Sequence, residues 1–133
     1  MELPPNLTLS LRLTQEINVD DAAIGDAVRA ELTNDLKIKG QVLVRKGAMA
    51  QGRITRLDRY SNATVLGLTF SDLDSDSMHA SLVLSFDGMV GAFQAASSSR
   101  GVRVGPPRPH EGLTVLGTGH VRLIRGILLM WRT

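Results

Sequence analysis

The chain has no cysteine among its 133 residues. That excludes a disulfide framework, a thiolate metal site and a cysteine nucleophile. It leaves the compartment open, since a chain of this length can bury a core without staples. Aromatic residues make up only 4%, so the core must be built from Leu, Val, Ile, Ala and Met. No apolar run approaches the roughly 20 residues that span a bilayer as a helix. The longest near the end, 127–131, is strand length. No segment reads as a secretory signal peptide, which by itself favours a cytoplasmic setting.

Charge of one sign is scarce in one region. Residues 1–99 hold nine Lys/Arg against twelve Asp/Glu, whereas 100–133 hold six arginines against Glu111 alone. A basic end can serve nucleic acid or an anionic surface. Here Arg100, Arg103, Arg108, Arg122, Arg125 and Arg132 are dispersed among turns and short strands, which fits a solvated end better. Binding to single-stranded nucleic acid needs exposed aromatics beside the cations. Only Tyr60, Phe70, Phe86, Phe93 and Trp131 exist, and two of these fall on expected core faces. Nucleic acid is therefore not the expected partner.

What is present is period-two patterning. Leu7, Leu9, Leu11 and Leu13 alternate with Thr8, Ser10, Arg12 and Thr14, a strand signal held over eight residues. Ile17 and Val19 prolong it, and Asp20 is placed to cap a helical turn over 20–23. Val28, Ala30 and Leu32 share a face opposite Arg29 and Glu31, which predicts a half-exposed strand over 27–32.

The centre of the chain is 36–54. Lys39-Gly40 and Lys46-Gly47 mark tight turns, where glycine supplies φ > 0. Val42, Leu43 and Val44 run without alternation, which predicts a strand buried on both faces. Ala48, Ala50, Gly52 and Ile54 form a small-residue face, a sign of close approach by another strand or of a barrel corner. Strands are also expected over 64–70 and 78–86, forming a hairpin around Asp72, Asp74 and Asp76. Residues 87–112 hold five glycines, three prolines and Ser97-Ser98-Ser99. They read as a long loop, with a helical turn at 92–96. Three short strands close the chain. Eight to ten mostly antiparallel short strands predict one all-β domain over 1–133, a small barrel or sandwich.

No motif carries chemistry. Counting from Asp72, a calcium loop needs glycine sixth and glutamate twelfth; Ser77 and Val83 stand there. His79, His110 and His120 lack the spacing that brings imidazoles together on one element. A hydrolase built on His79 or His120 with an aspartate is the weakest reading. Ser97–Ser99 has no nucleophile elbow around it. The glycines at 40, 47 and 52 lack the Gly-Lys-Ser/Thr ending of a phosphate loop. The expectation is a protein that is not an enzyme and takes no cofactor or metal. Its partner contacts are not named by any residue pattern.

One likeness is visible. Gly25-Asp26-Ala27-Val28-Arg29-Ala30-Glu31-Leu32, then Gly40-Gln41-Val42-Leu43-Val44-Arg45-Lys46-Gly47, then Gly52-Arg53, resembles the β-domain of the VirB10/TrbI-like envelope proteins of bacterial type IV secretion and conjugation systems. Similar stand-alone domains occur in secreted bacterial proteins. The likeness covers about residues 7–86. Arg45 stands where that family usually has proline, and nothing in 87–112 looks like the helical antenna of its larger members. The resemblance implies a barrel-like fold, a periplasmic or secreted setting, and work through a protein partner or a homo-oligomer. It does not imply a channel subunit. The alternative is a small-ligand or glycan-binding barrel with 87–112 as lid and Tyr60 or Trp131 as stacking surface.

Overall fold

A computed structural model describes residues 3–59, 64–76, 78–90, 112–116, 122–123 and 125–133. The protein is all-β. In chain order the strands are β1 (Thr8–Leu13), β2 (Ile17–Asn18), β3 (Ala27–Leu32), β4 (Leu36–Ile38), β5 (Gln41–Val44) and β6 (Met49–Arg59). They continue with β7 (Thr64–Ser75), β8 (Met78–Ser81), β9 (Ser85–Val90), β10 (Gly112–Leu116), β11 (Arg122–Leu123) and β12 (Leu128–Arg132). No helix is found among the described residues.

Eight strands form the main sheet in the order β10-β7-β6-β3-β1-β12-β9, with β8 also paired to β7. Every ladder in it is antiparallel. The two ends, β9 and β10, come within 8 Å between Cα atoms. No ladder joins them among the described residues, so the sheet curls back on itself without closing into a hydrogen-bonded barrel. Two small sheets stand apart from it, β2 with β11 and β4 with β5.

The leucines of β1 set the core. Leu9, Leu11 and Leu13 are buried, as the alternation predicts. Each contributes roughly 1.5–3 kcal/mol relative to exposure. Val28, Ala30 and Leu32 of β3 and Leu129 and Trp131 of β12 pack with them. The termini meet at this sheet: Asn6 N–H donates to the Thr133 carbonyl at 3.0 Å, and Thr133 N–H to the Leu7 carbonyl at 2.9 Å.

The small-residue face of β6 is explained by Gly52. A Cβ there would lie 2.1 Å from the Thr69 carbonyl oxygen and 2.9 Å from Phe70 Cα. The ladder with β7 slips at this point, between Gln51 and Gly52. Only glycine lets the two backbones approach so closely, and the extra residue of the bulge, Ser71, lies on β7.

Several expectations are corrected. Residues 78–86 do not form one strand. The period-two burial continues through Ala80, Leu82 and Leu84, but after Leu82 N–H bonds the Ser71 carbonyl the chain leaves β7 and pairs with β12 instead. The loop expected at 87–112 is shorter at both ends. Met89 and Val90 pair with Leu129 and Leu128 in the ladder, and Gly112 pairs with Leu68. Long-range pairing overrides the glycine punctuation. Residues 91–111, with the turn expected at 92–96, lie outside the described residues. Over 20–23 there is a turn and no helix. Its cap is Asn18: the Asn18 carbonyl accepts from Asp21 and Ala22, and its Oδ1 accepts from Asp20 N–H.

Candidate functional site

Residues 33–47 leave the main sheet as an arm. Its base is closed by Leu32, whose carbonyl accepts from Gly47 N–H at 2.7 Å and whose N–H donates to the Ala48 carbonyl at 2.8 Å. Asn34 then clamps the arm to β1. Its Oδ1 accepts from Ser10 N–H, and its amide donates to the Thr8 carbonyl, both at 2.9 Å. One side chain thus stands in for a strand neighbour. Asp35 Oδ1 accepts from Lys46 N–H at 2.8 Å and ties the two ends of the arm.

Beyond that base the arm is the hairpin β4–β5. Its tip is a two-residue turn in which Lys39 has φ 48° and Gly40 φ 79°. Two positive φ values in a two-residue loop fit the right-handed twist of the flanking strands. The expectation that 42–44 would be buried on both faces is overturned. Val44 is buried, Leu43 half-buried, and Val42 is 43% exposed. The reason is topological. Among the described residues β5 pairs only with β4, and no second strand covers it. Ile38 is exposed at the same tip.

The arm faces a second hairpin, β7–β8. Between them lies an open groove of about 870 Å³. Val42, Arg45 and Lys46 stand on one wall, Ala48 and Met49 at the floor, and Asp74 and Asp76 on the other wall. The walls differ in charge. The arm carries Lys37, Lys39, Arg45 and Lys46, all exposed, and none of them makes an ion pair with a described residue.

Of the aspartates expected at a hairpin tip only Asp76 lies at the turn; β7 runs on to Ser75, so Asp72 and Asp74 lie within the strand, paired with β8, and the structure adds a partner. Asp74 is opposite His79 in the ladder. The His79 ring lies between two carboxylates, with Nδ1 against Asp74 Oδ1 and Nε2 3.2 Å from Asp72 Oδ1. Gln51 Nε2 donates to Asp74 Oδ2 at 3.1 Å. Both ring nitrogens donate only when the imidazole is charged. In a Ser-His-Asp arrangement Nε2 would face the nucleophile; here it faces Asp72. The cluster is exposed at the surface. Among the described residues no group of three or more His, Asp or Glu is arranged to hold a metal ion.

The other sequence candidates divide. Trp131 is not a stacking surface. It is fully buried, edge-on to Phe70 with centroids 5.6 Å apart and tilted against Phe86 at 4.8 Å. Strand alternation on β12 turns it inward with Leu129. Its Nε1 has no hydrogen-bond partner among the described residues. Tyr60, His110, His120 and Ser97–Ser99 lie outside the described residues, as does most of the expected lid. Of the basic C-terminal end, Arg132 lies 3.8 Å from Asp87 and Arg125 is exposed.

The arm was missed as a surface because Val42-Leu43-Val44 reads as core. A signal was present: four cations and no anion across 36–47 do not suit a strand buried on both faces. No helix is long and apolar enough to cross a membrane among the described residues. Comparisons with protein-family models, with curated proteins and with solved structures each found no match.

Proposed function

We propose that this chain is a non-catalytic β module of the bacterial cell envelope, periplasmic or secreted, that acts through protein–protein contacts made by the arm and its groove. The observation that carries the reading is the exposed pair Ile38 and Val42 on a hairpin whose outer edge has no ladder partner among the described residues. Isolated surface apolar side chains are ordinary. Here they sit on an unpaired strand edge beside a groove, and an unpaired edge offers N–H and C=O groups to another chain. The envelope setting rests on the resemblance over residues 7–86. The ligand-binding alternative is weakened by the burial of Trp131.

A photo-crosslinking residue at position 42 tests the reading in intact bacteria that carry the protein. A discrete polypeptide adduct is expected at 42 and none at 29, on the outer face of β3. Absence of any adduct at 42 overturns the contact role. Recovery of the protein in the cytosolic fraction alone overturns the setting.

A further inference from the structure

We infer that the occupant of the groove is a second copy of this chain, docked about a two-fold axis so that the arm of each copy lies on the β7–β8 tip of the other. The inference rests on the protein-contact reading and names its partner.

Charge is the first argument. The arm presents Lys37, Lys39, Arg45 and Lys46, of which Arg45 and Lys46 line the groove, while the wall across it presents Asp76 and Asp74, the latter also held against His79. The two walls do not neutralise each other: no ion pair joins them. An occupant must therefore offer acids to one wall and bases to the other. The surface itself has that pattern when turned by 180°, the self-complementarity an isologous interface requires.

Backbone is the second argument. Among the described residues β5 is bonded only to β4, and β8 only to β7. Two open edges thus border the groove. Apposing β5 of one copy with β8 of the other satisfies both, twice over, by symmetry. Direct pairing of β5 with β5 is disfavoured. It would bring Arg45 and Lys46 of one copy beside the Lys39 turn of the other, and opposed like charges destabilise a ladder. An anionic lipid surface suits the arm alone. Asp74 and Asp76 line the same groove and would be repelled by such a surface.

Charge exchange tests this in solution. One variant carries Lys37→Glu and Arg45→Glu, a second carries Asp74→Lys and Asp76→Lys, and a third carries the neutral pair Lys37→Gln and Arg45→Gln. All substituted side chains are exposed or half-buried, and thermal melting verifies that each variant is folded. Wild-type protein is expected to self-associate in sedimentation equilibrium, more weakly as salt rises. Each charge-reversed variant alone should associate at least about tenfold more weakly, since opposed like charges carry a large penalty across an interface. The neutral variant should fall between them and wild type. An equimolar mixture of the two reversed variants should recover to within about threefold of wild type, because both arm–tip contacts are complementary again.

A wild-type protein that stays monomeric to the highest soluble concentration overturns the inference. So does a mixture that fails to recover. Binding to phosphatidylglycerol vesicles without self-association would reassign the arm to a lipid surface. A monomer that still gives a crosslink to a different polypeptide from position 42 ends the second-copy inference and leaves the protein-contact reading standing. A monomer with no adduct ends both.

Discussion

The strands β3 and β5 have similar side chains and opposite fates. β3 carries Val28, Ala30 and Leu32, and all three are buried. β5 carries Val42, Leu43 and Val44 in succession, yet only Val44 is buried. The difference lies in their edges. β3 is bonded to β1 on one side and to β6 on the other, which fixes its inner face over the core. Among the described residues β5 has a single neighbour, β4, and the hairpin they form stands off the main sheet. Hydropathy selects strand over loop in both cases. Ladder partners then decide whether apolar side chains become interior or surface. The chain thus divides into a sheet that supplies stability and an arm free to supply contacts.

That division is broken most severely at the core. Trp131→Ala removes the largest fully buried side chain, along with its contacts to Phe70 and Phe86. It should cost about 3–5 kcal/mol, read as a large fall in the chemical denaturation midpoint. Trp131→Phe should cost clearly less. It keeps an aromatic ring there and removes an indole N–H whose unmet hydrogen bond carries a penalty of about 1–3 kcal/mol.

Gly52→Ala comes next. The added methyl meets the backbone of Thr69 and Phe70, which cannot rotate away as a side chain would. Overpacking of this kind costs about 1–3 kcal/mol. Arg53→Ala, on the exposed face of the same strand, should change the midpoint far less.

Asn34→Ala sharpens the boundary between the two regions. It removes two hydrogen bonds to β1 and should cost about 1–2 kcal/mol. Amide exchange should accelerate over 35–46 while β3 and β6 remain protected. Equal acceleration across the main sheet would show that the arm is not a separate unit.

Much of this was legible in the chain. The leucines at 9, 11 and 13 alternate with polar residues, and β1 follows them. The boundaries of β3 and the two glycine turns were readable for the same local reason. Gly52 signalled a close approach, although its partner, Thr69, could not be named without the β6–β7 register. What escaped was long-range. Nothing near Leu82 says that the chain will abandon β7 for β12, and nothing near Asp87 says that it continues a strand. The indole of Trp131 was placed outward as a binding surface because aromatics are scarce here. Alternation with Leu129 already placed it inward. The pairing of Asp74 with His79 follows once Ser75 is set opposite Met78, so it was nearest to being read. The arm was least so, since an apolar triplet looks the same whether or not a second strand arrives to cover it.

The central claim is that the tip of the arm, beyond the buried Leu36 and Val44, contributes contacts and little stability. The direct measurement is the melting midpoint and sedimentation behaviour of one variant, Ile38→Ser with Val42→Ser, side by side with wild type. Both side chains are at least 36% exposed. The account predicts a midpoint within about 3 °C of wild type, since such surface changes stay near 0.5 kcal/mol, together with loss of self-association. A midpoint lower by more than about 10 °C, with self-association unchanged, would contradict it.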